Sequence, residues 1–320
     1  MSIWKHDQIN SLIDEKYQLT INEGGTSLIK IFLDRQEQKE LGIKDGKTQK
    51  LYLKLETMNP NKSFKDRSLA YQISYYYSKG KKKLLISSSG NAAVSAAAYV
   101  SLTDMKLAVF VSNKVNKAKL ERLNKFVSQN PNISLNFSMR PKSDAIKYSL
   151  NEDYVNLRGS MDENAVVGFK TISHELFEEL TECDAIFVPC SSGTSTVGIS
   201  QGYDDLKLKA PALHICQTSK VHPIAKNFDI IYTPTKTSLS DAIVDRVAKR
   251  EQQVLDIIQN TNGSGWILSD EDIERALKFL KRKTKLPDLT YNGILSFAGL
   301  VKALKRHKQF TNPVCIISGI

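Results

Sequence analysis

Residues 50–80 read KLYLKLETMNPNKSFKDRSLAYQISYYYSKG. The opening KLYLKLE has the composition of a strand. From Ser63 onward the pattern changes to that of a helix. Ser63 is placed to cap it, Asp66 to complete a Ser-x-x-Asp capping box, and Gly80 to end it. The unit is therefore strand, proline-bearing loop, helix. The same rhythm continues downstream. KLLISSS (83–89) reads as a strand and NAAVSAAAYVSL (91–102) as a helix. KLAVFVSN, VNKAKLERLNKFV, ISLNFSM and DAIKYSL continue the alternation to residue 150. FKTISHELFEEL, DAIFVPC, VGISQGYDDL and LHICQT carry it to 218. Near-continuous apolar strands alternating with helices predict an α/β fold of mainly parallel sheets covered by helices.

Two domains are expected: a smaller α/β domain over 50–153, and a larger one from 1–49 plus 154–320. The polar, pattern-poor stretch Asn151–Val167 marks the crossing. A chain of 320 residues, 41% of them hydrophobic, is long enough for sizeable cores. No apolar run reaches the roughly 18 residues of a membrane span. The start, MSIWKHDQIN, has no apolar signal core, so a cytoplasmic protein is expected. Cys183, Cys190, Cys216 and Cys315 show neither Cys-x-x-Cys nor zinc-finger spacing, so reduced thiols and no metal site are expected. Cys190 reads as a small residue at a strand end. The net charge is +11. The basic runs at 278–285 and 302–308 alternate with apolar residues at helical spacing, as a solvated helix face does. A field that draws in anionic small molecules accounts for the charge better than nucleic-acid binding. GIKDGKT (42–48) has three residues between its glycines where a P-loop needs four, and reads as a turn.

In open α/β sheets ligands gather at the carboxyl ends of strands, which directs attention to three loops. In ETMNPNKSFKDR, Lys65 lies in the first turn of a helix. The helix dipole disfavours a cation there, and a lysine lowered in pKa by that field and by burial is a usable nucleophile and base. An exposed lysine offset by Asp66 is the plainer alternative. In SSSGNAA, Ser88, Ser89, Gly90 and Asn91 set backbone N–H groups at a helix mouth, suited to a carboxylate. A cap by Ser89 or Asn91 is the alternative. In PCSSGTSTVGI, hydroxyl residues and Gly193 could wrap a phosphate. Gly-x-Ser-x-Gly is absent, so a serine hydrolase is not supported.

In this order and spacing the three loops resemble the fold-type II pyridoxal-phosphate enzymes, the tryptophan synthase β-like group. NPNKSFKDR, SSSGNAAVSAAAY, EGGTSL (23–28), SFAGL (296–300) and VCIISG (314–319) look most like threonine synthase. The resemblance spans Glu23 to Gly319. It implies that pyridoxal 5'-phosphate is held covalently by Lys65, the catalytic residue. It implies that Asn91 bonds the cofactor's ring oxygen, and that Ser88, Ser89, Gly90 and Asn91 face the substrate carboxylate. Ser192, Gly193, Thr194, Ser195 and Thr196 would hold the cofactor phosphate, and Ser318 would face the ring nitrogen. A hydroxyl there is a weaker proton source than a carboxylate, which favours elimination and replacement over transamination. A homodimer is also implied.

The match departs in places. Ser191 and Thr194 stand where the family often has glycines. Asn61 and Lys62 stand in Thr and Gly places. Lys62 could bind an anionic group of the substrate or point to solvent. The stretch DLTYNGILSFAGL lacks the usual Pro-Ser-Ser-Ala run. The leading expectation is a lyase of amino-acid biosynthesis that converts O-phosphohomoserine and water to threonine and phosphate. The alternatives are a β-replacing synthase using O-phosphoserine or an acylated serine (cysteine synthase or diaminopropionate type), a serine/threonine dehydratase, and a non-catalytic relative. The presence of Lys65 argues against the last. No ligand-sensing module is expected after Ser318.

Overall fold

A computed structural model of the chain describes residues 2–43, 48–113, 115 and 117–320. The turn expected at 42–48 falls largely on 44–47, outside the described residues. Ten strands form among those described: β1 Leu28–Phe32, β2 Lys50–Leu55, β3 Lys83–Ser87, β4 Lys106–Ser112, β5 Ile133–Ser138, β6 Val155–Asn156, β7 Ala185–Pro189, β8 Ala212–Thr218, β9 Ser264–Leu268 and β10 Pro313–Ile317. They build a six-stranded sheet ordered β1-β2-β10-β7-β8-β9 and a four-stranded sheet ordered β5-β4-β3-β6. All pairs are parallel except β1 with β2. The α/β class follows. No helix among the described residues is long and apolar enough to cross a membrane.

The chain divides into two compact units, residues 1–25 with 59–171, and residues 26–58 with 172–320. The first contains the four-stranded sheet, whose core includes Ile73, Leu84, Val94, Tyr99, Val109 and Leu123. The expected boundaries at 50 and 153 and the observed ones differ, for two reasons. The N-terminal residues join this unit because the buried carboxylate of Glu23 gathers them. It accepts hydrogen bonds from Ser2 Oγ, Ile3 N, Thr20 Oγ1, Ile21 N and the Tyr99 hydroxyl. Ile3 and Ile9 then pack into the same core.

The second unit contains the six-stranded sheet, with Leu53, Phe187, Trp266, Phe279, Phe297 and Ile317 in its core. Residues 50–58 belong here because β2 is hydrogen-bonded to both β1 and β10. An ion pair inside this unit reinforces the placement. The buried Lys54 Nζ lies 2.8 Å from Glu175 Oε2 and 3.0 Å from Glu179 Oε2, and it donates to Thr26 O at 2.6 Å. Buried charges persist only when paired and hydrogen-bonded in this way.

Candidate active site

In the first unit, Lys65 is the first residue of the helix Lys65–Ser78. Its Nζ lies 4.8 Å from the Phe64 ring centroid and 5.4 Å from that of Phe169, and the two rings meet edge to face at 5.0 Å. The half-buried lysine is thus set between two aromatic faces, which attract a cation and exclude water from one side of it. Gly168 makes room for this stretch. A Cβ there would come within 1.9 Å of Arg67 O, so the chain can pass only as glycine.

The expected capping box is not formed. Phe64 occupies the N-cap, with no side-chain cap bond, and Ser63 Oγ accepts from Lys65 N at 3.2 Å. Asp66 turns inward instead. Its fully buried carboxylate accepts from Asn61 N at 2.7 Å, Asn61 Nδ2 at 2.9 Å and Ser95 Oγ at 2.6 Å. Burial raises its pKa above the ordinary carboxylate value, and these hydrogen bonds only partly oppose the rise. Tertiary partners have outcompeted the local cap, and the result shapes the loop that precedes Lys65. In that loop Lys62 donates its N–H to Asn59 O at 2.7 Å and takes a left-handed φ of 60°. A glycine at this place would adopt that φ without strain, which accounts for the family preference. The Lys62 side chain is exposed. At the other end, Gly80 has φ 69° and ends the helix as expected.

Ser88, Ser89 and Gly90 follow β3 and lead into the helix Asn91–Val100. Gly90, in extended conformation, is the N-cap, and neither Ser89 nor Asn91 caps with its side chain. Gly90 N donates to Ser88 Oγ at 3.2 Å. Ala93 N donates to Gly90 O at 3.0 Å, and a helix mouth without a side-chain cap is a place where an anion is favoured. Asn91 Oδ1 accepts from Arg122 Nη1 at 2.8 Å, and Arg122 Nη2 donates to Asn61 O at 2.9 Å. Arg122, on the helix Lys117–Gln129, thereby joins the mouth to the lysine-bearing loop. Sequence reasoning missed it, because nothing in KLERLNK separates it from neighbouring surface charges.

In the second unit, β7 runs into Cys190, which is buried with its N–H on Cys216 O. The turn reaches Gly193, at φ 95°, and the helix Thr194–Asp205 begins. Thr194, Ser195 and Thr196 are all buried, and Ser192 Oγ lies 2.9 Å from Thr194 Oγ1. Thr196 Oγ1 is buried without a hydrogen-bond partner among the described residues. An orphaned hydroxyl beside the first-turn amides of a twelve-residue helix is a donor set that fits a phosphate. Ser191, one of the departures from the family, is engaged elsewhere. Its Oγ donates to Asp245 Oδ2 at 2.9 Å and accepts from Val244 N and Asp245 N at 3.2 Å. Asp245 was likewise not anticipated. Ser318 follows β10, with its N–H on Gly293 O at 3.3 Å. Because β10 lies parallel beside β7, Ser318 and the 190–193 turn leave the same edge of the sheet. No disulfide joins the four cysteines, and among the described residues no cluster could hold a metal ion.

Comparison with known proteins bears on these loops. Residues 19–319 match the model of the family described as "Pyridoxal-phosphate dependent enzyme". The chain is 27% identical over 334 residues to a threonine synthase of Methanocaldococcus jannaschii, covering 100% of this chain and 80% of that protein. It is 25% identical to a threonine synthase of Bacillus sp. (strain ULM1), covering 94% and 84%. Among solved structures, a pyridoxal 5'-phosphate-dependent aspartate racemase superposes with TM-score 0.76 at 17% identity, covering 99% and 94%. An O-acetylserine dependent cystathionine beta-synthase from Helicobacter pylori does so with TM-score 0.74 at 18% identity, covering 97% and 96%. These two likenesses concern the fold. The chain belongs to the pyridoxal-phosphate dependent enzyme family, and pyridoxal phosphate is its cofactor.

Proposed function

We propose that the chain eliminates phosphate from a phosphorylated hydroxy amino acid and adds water at the neighbouring carbon, in the manner of threonine synthase. O-Phosphohomoserine and water would give threonine and phosphate. The observation that carries this reading is that Arg122 ties the loop before Lys65 to the Ser88–Asn91 helix mouth within the first unit. The threonine synthases similar along nearly the whole chain support it.

The bound cofactor supplies an electron sink for negative charge at the substrate's α carbon. The chain's residues do the rest. Lys65 would hold the cofactor through Nζ, and its free amine would take the α proton and then a β proton, as loss of a γ-phosphate requires, and later return a proton to the product. Ser88, Ser89, Gly90 and Asn91 orient the substrate carboxylate, and Asn91 also donates to the ring oxygen. Ser192, Gly193, Thr194, Ser195 and Thr196 would hold the cofactor phosphate. Ser318 would stand by the ring nitrogen as a poor proton donor, which would keep the sink mild and the chemistry on elimination and replacement. Lys62 lends a positive charge to the leaving phosphate. By the same resemblance we infer a homodimer in the cytoplasm.

The test is an absorbance spectrum of the purified protein, followed by assay of phosphate and amino-acid products. A visible band absent in Lys65→Ala, with phosphate and threonine released from O-phosphohomoserine, is expected. Release from O-phosphoserine alone would move the assignment to β-replacement. A protein that stays colourless when supplied with pyridoxal phosphate would overturn the site.

A further inference from the structure

We propose that Arg122 is a positioning residue. It locks the Asn91 amide with its nitrogen as donor to the cofactor's ring oxygen, and it ties that amide to the lysine-bearing loop through Asn61 O. The inference rests on the cofactor assignment above and deepens it.

The argument begins with donor chemistry. A guanidinium only donates. The partner it meets at 2.8 Å on Asn91 must therefore be the amide oxygen, since a flipped amide would set N–H against N–H. With Oδ1 committed to Arg122, the amide can meet a second group on its other branch only as a donor. Without Arg122 the amide gains a second rotamer that presents oxygen to the ring oxygen, a repulsive arrangement.

Charge adds to orientation. The hydrogen bonds of Arg122 among the described residues are these two, and neither goes to a carboxylate. Asp66 acts on it only through space, its own oxygens being taken by Asn61 and Ser95. A half-buried guanidinium bonded to an amide oxygen pulls electron density from the C–N bond and strengthens the amide N–H as a donor. The donor favours the ionised ring oxygen, the form that absorbs in the visible.

Geometry completes the case. Nη1 and Nη2 belong to one rigid fork, so the acceptors Asn91 Oδ1 and Asn61 O are held at a set spacing. Asn61 also bonds Asp66, next to Lys65, through both its backbone and its amide. Arg122 thus links the two loops by a chain of hydrogen bonds.

The test uses the holoenzyme and compares wild type, Arg122→Gln, Arg122→Lys, Asn91→Ala and the Arg122→Gln/Asn91→Ala double variant. Three quantities are read: apoprotein melting, cofactor affinity, and the ratio of visible to near-ultraviolet absorbance against pH. Arg122→Gln is expected to weaken cofactor binding on the order of tenfold, equivalent to about 1.4 kcal/mol. It should move absorbance from the visible to the near-ultraviolet, as Asn91→Ala does. Arg122→Lys keeps the charge and one donor, and should restore most of the visible band. The double variant should bind cofactor no more weakly than Asn91→Ala alone, because both changes remove one interaction. Unchanged affinity and band ratio in Arg122→Gln, with Asn91→Ala altering both, would reduce Arg122 to a strut for its helix and overturn the proposal. If Asn91→Ala alters neither, the ring-oxygen role of Asn91 falls and the proposal falls with it, whatever Arg122 does.

Discussion

Gly193→Ala is the sharpest probe of the second unit's loop, because two separate costs can be read from its surroundings. The backbone at Gly193 has φ 95° and ψ −8°. An L side chain in a left-handed conformation costs about 1–2 kcal/mol. The added Cβ would also lie 2.6 Å from Val254 Cγ2 and 3.3 Å from Arg250 Cβ. Val254 is fully buried and cannot swing away, so overpacking adds about 1–3 kcal/mol. The total is about 2–5 kcal/mol, a large share of an ordinary domain's stability but short of all of it. The second cost can be isolated. Val254→Ala removes the clashing methyl groups and by itself loses about 2 kcal/mol of burial. The double variant should then fall short of the sum of the singles by about 1–3 kcal/mol, since the clash present in Gly193→Ala is absent once Val254 is truncated. Urea unfolding of the apoprotein, followed by Trp266 fluorescence in a Trp4→Phe background, reads this unit. Titration with pyridoxal phosphate reads the loop, and affinity should fall in Gly193→Ala and partly recover in the double variant. A Gly193→Ala protein within about 0.5 kcal/mol of wild type, or strict additivity of the singles, would refute the reasoning.

Lys62→Gly relieves a left-handed residue worth about 1–2 kcal/mol and gives back about 0.5–1 kcal/mol of chain entropy. Thermal melting should therefore show a small stabilisation. If Lys62 touches the leaving phosphate, KM for the phosphorylated substrate rises in the same variant, and an unchanged KM would remove Lys62 from the substrate site. His214 is stacked on Phe187 at 4.5 Å and accepts from Trp266 Nε1 at Nδ1. Burial, aided by the charge of Lys308, lowers its pKa to about 3. The folded state thus prefers the neutral ring, so this contribution is complete above the ordinary imidazole value and is lost as pH falls toward about 3. Stability should drop by about 1.4 kcal/mol per pH unit in that window from this group alone. His214→Phe should lessen the slope, and identical acid slopes in the two proteins would sink the assignment.

The fold was legible where residues answer to their chain neighbours. KLYLKLE, KLLISSS and DAIFVPC became β2, β3 and β7 because β-branched and leucine runs bounded by Ser, Asn and Pro leave few alternatives. The three loops stood out for the same reason, since hydroxyls, glycine and a lone lysine at strand-to-helix turns are local signals. Failures came where a group's partner lies far along the chain. Asp66 matched a capping box on spacing, yet Ser95, 29 residues away, and the Asn61 turn hold its carboxylate instead. Glu23 drew the N-terminal residues into the first unit through Tyr99, 76 residues on. Arg122 meets Asn61 and Asn91 from 61 and 31 residues away, and Asp245 meets Ser191 across 54. These four are ionisable residues, a type found mostly at the surface, and nothing beside them in sequence marks the distant partner. A sequence of this kind displays the groups that would touch a cofactor, because they cluster in loops, and conceals the groups that aim them, because those are scattered. The departures from the family point the same way. Ser191 in a glycine's place is bound to Asp245 and its neighbouring amides, so the lost backbone freedom at that turn is compensated by a tie to a second segment that no local reading could supply.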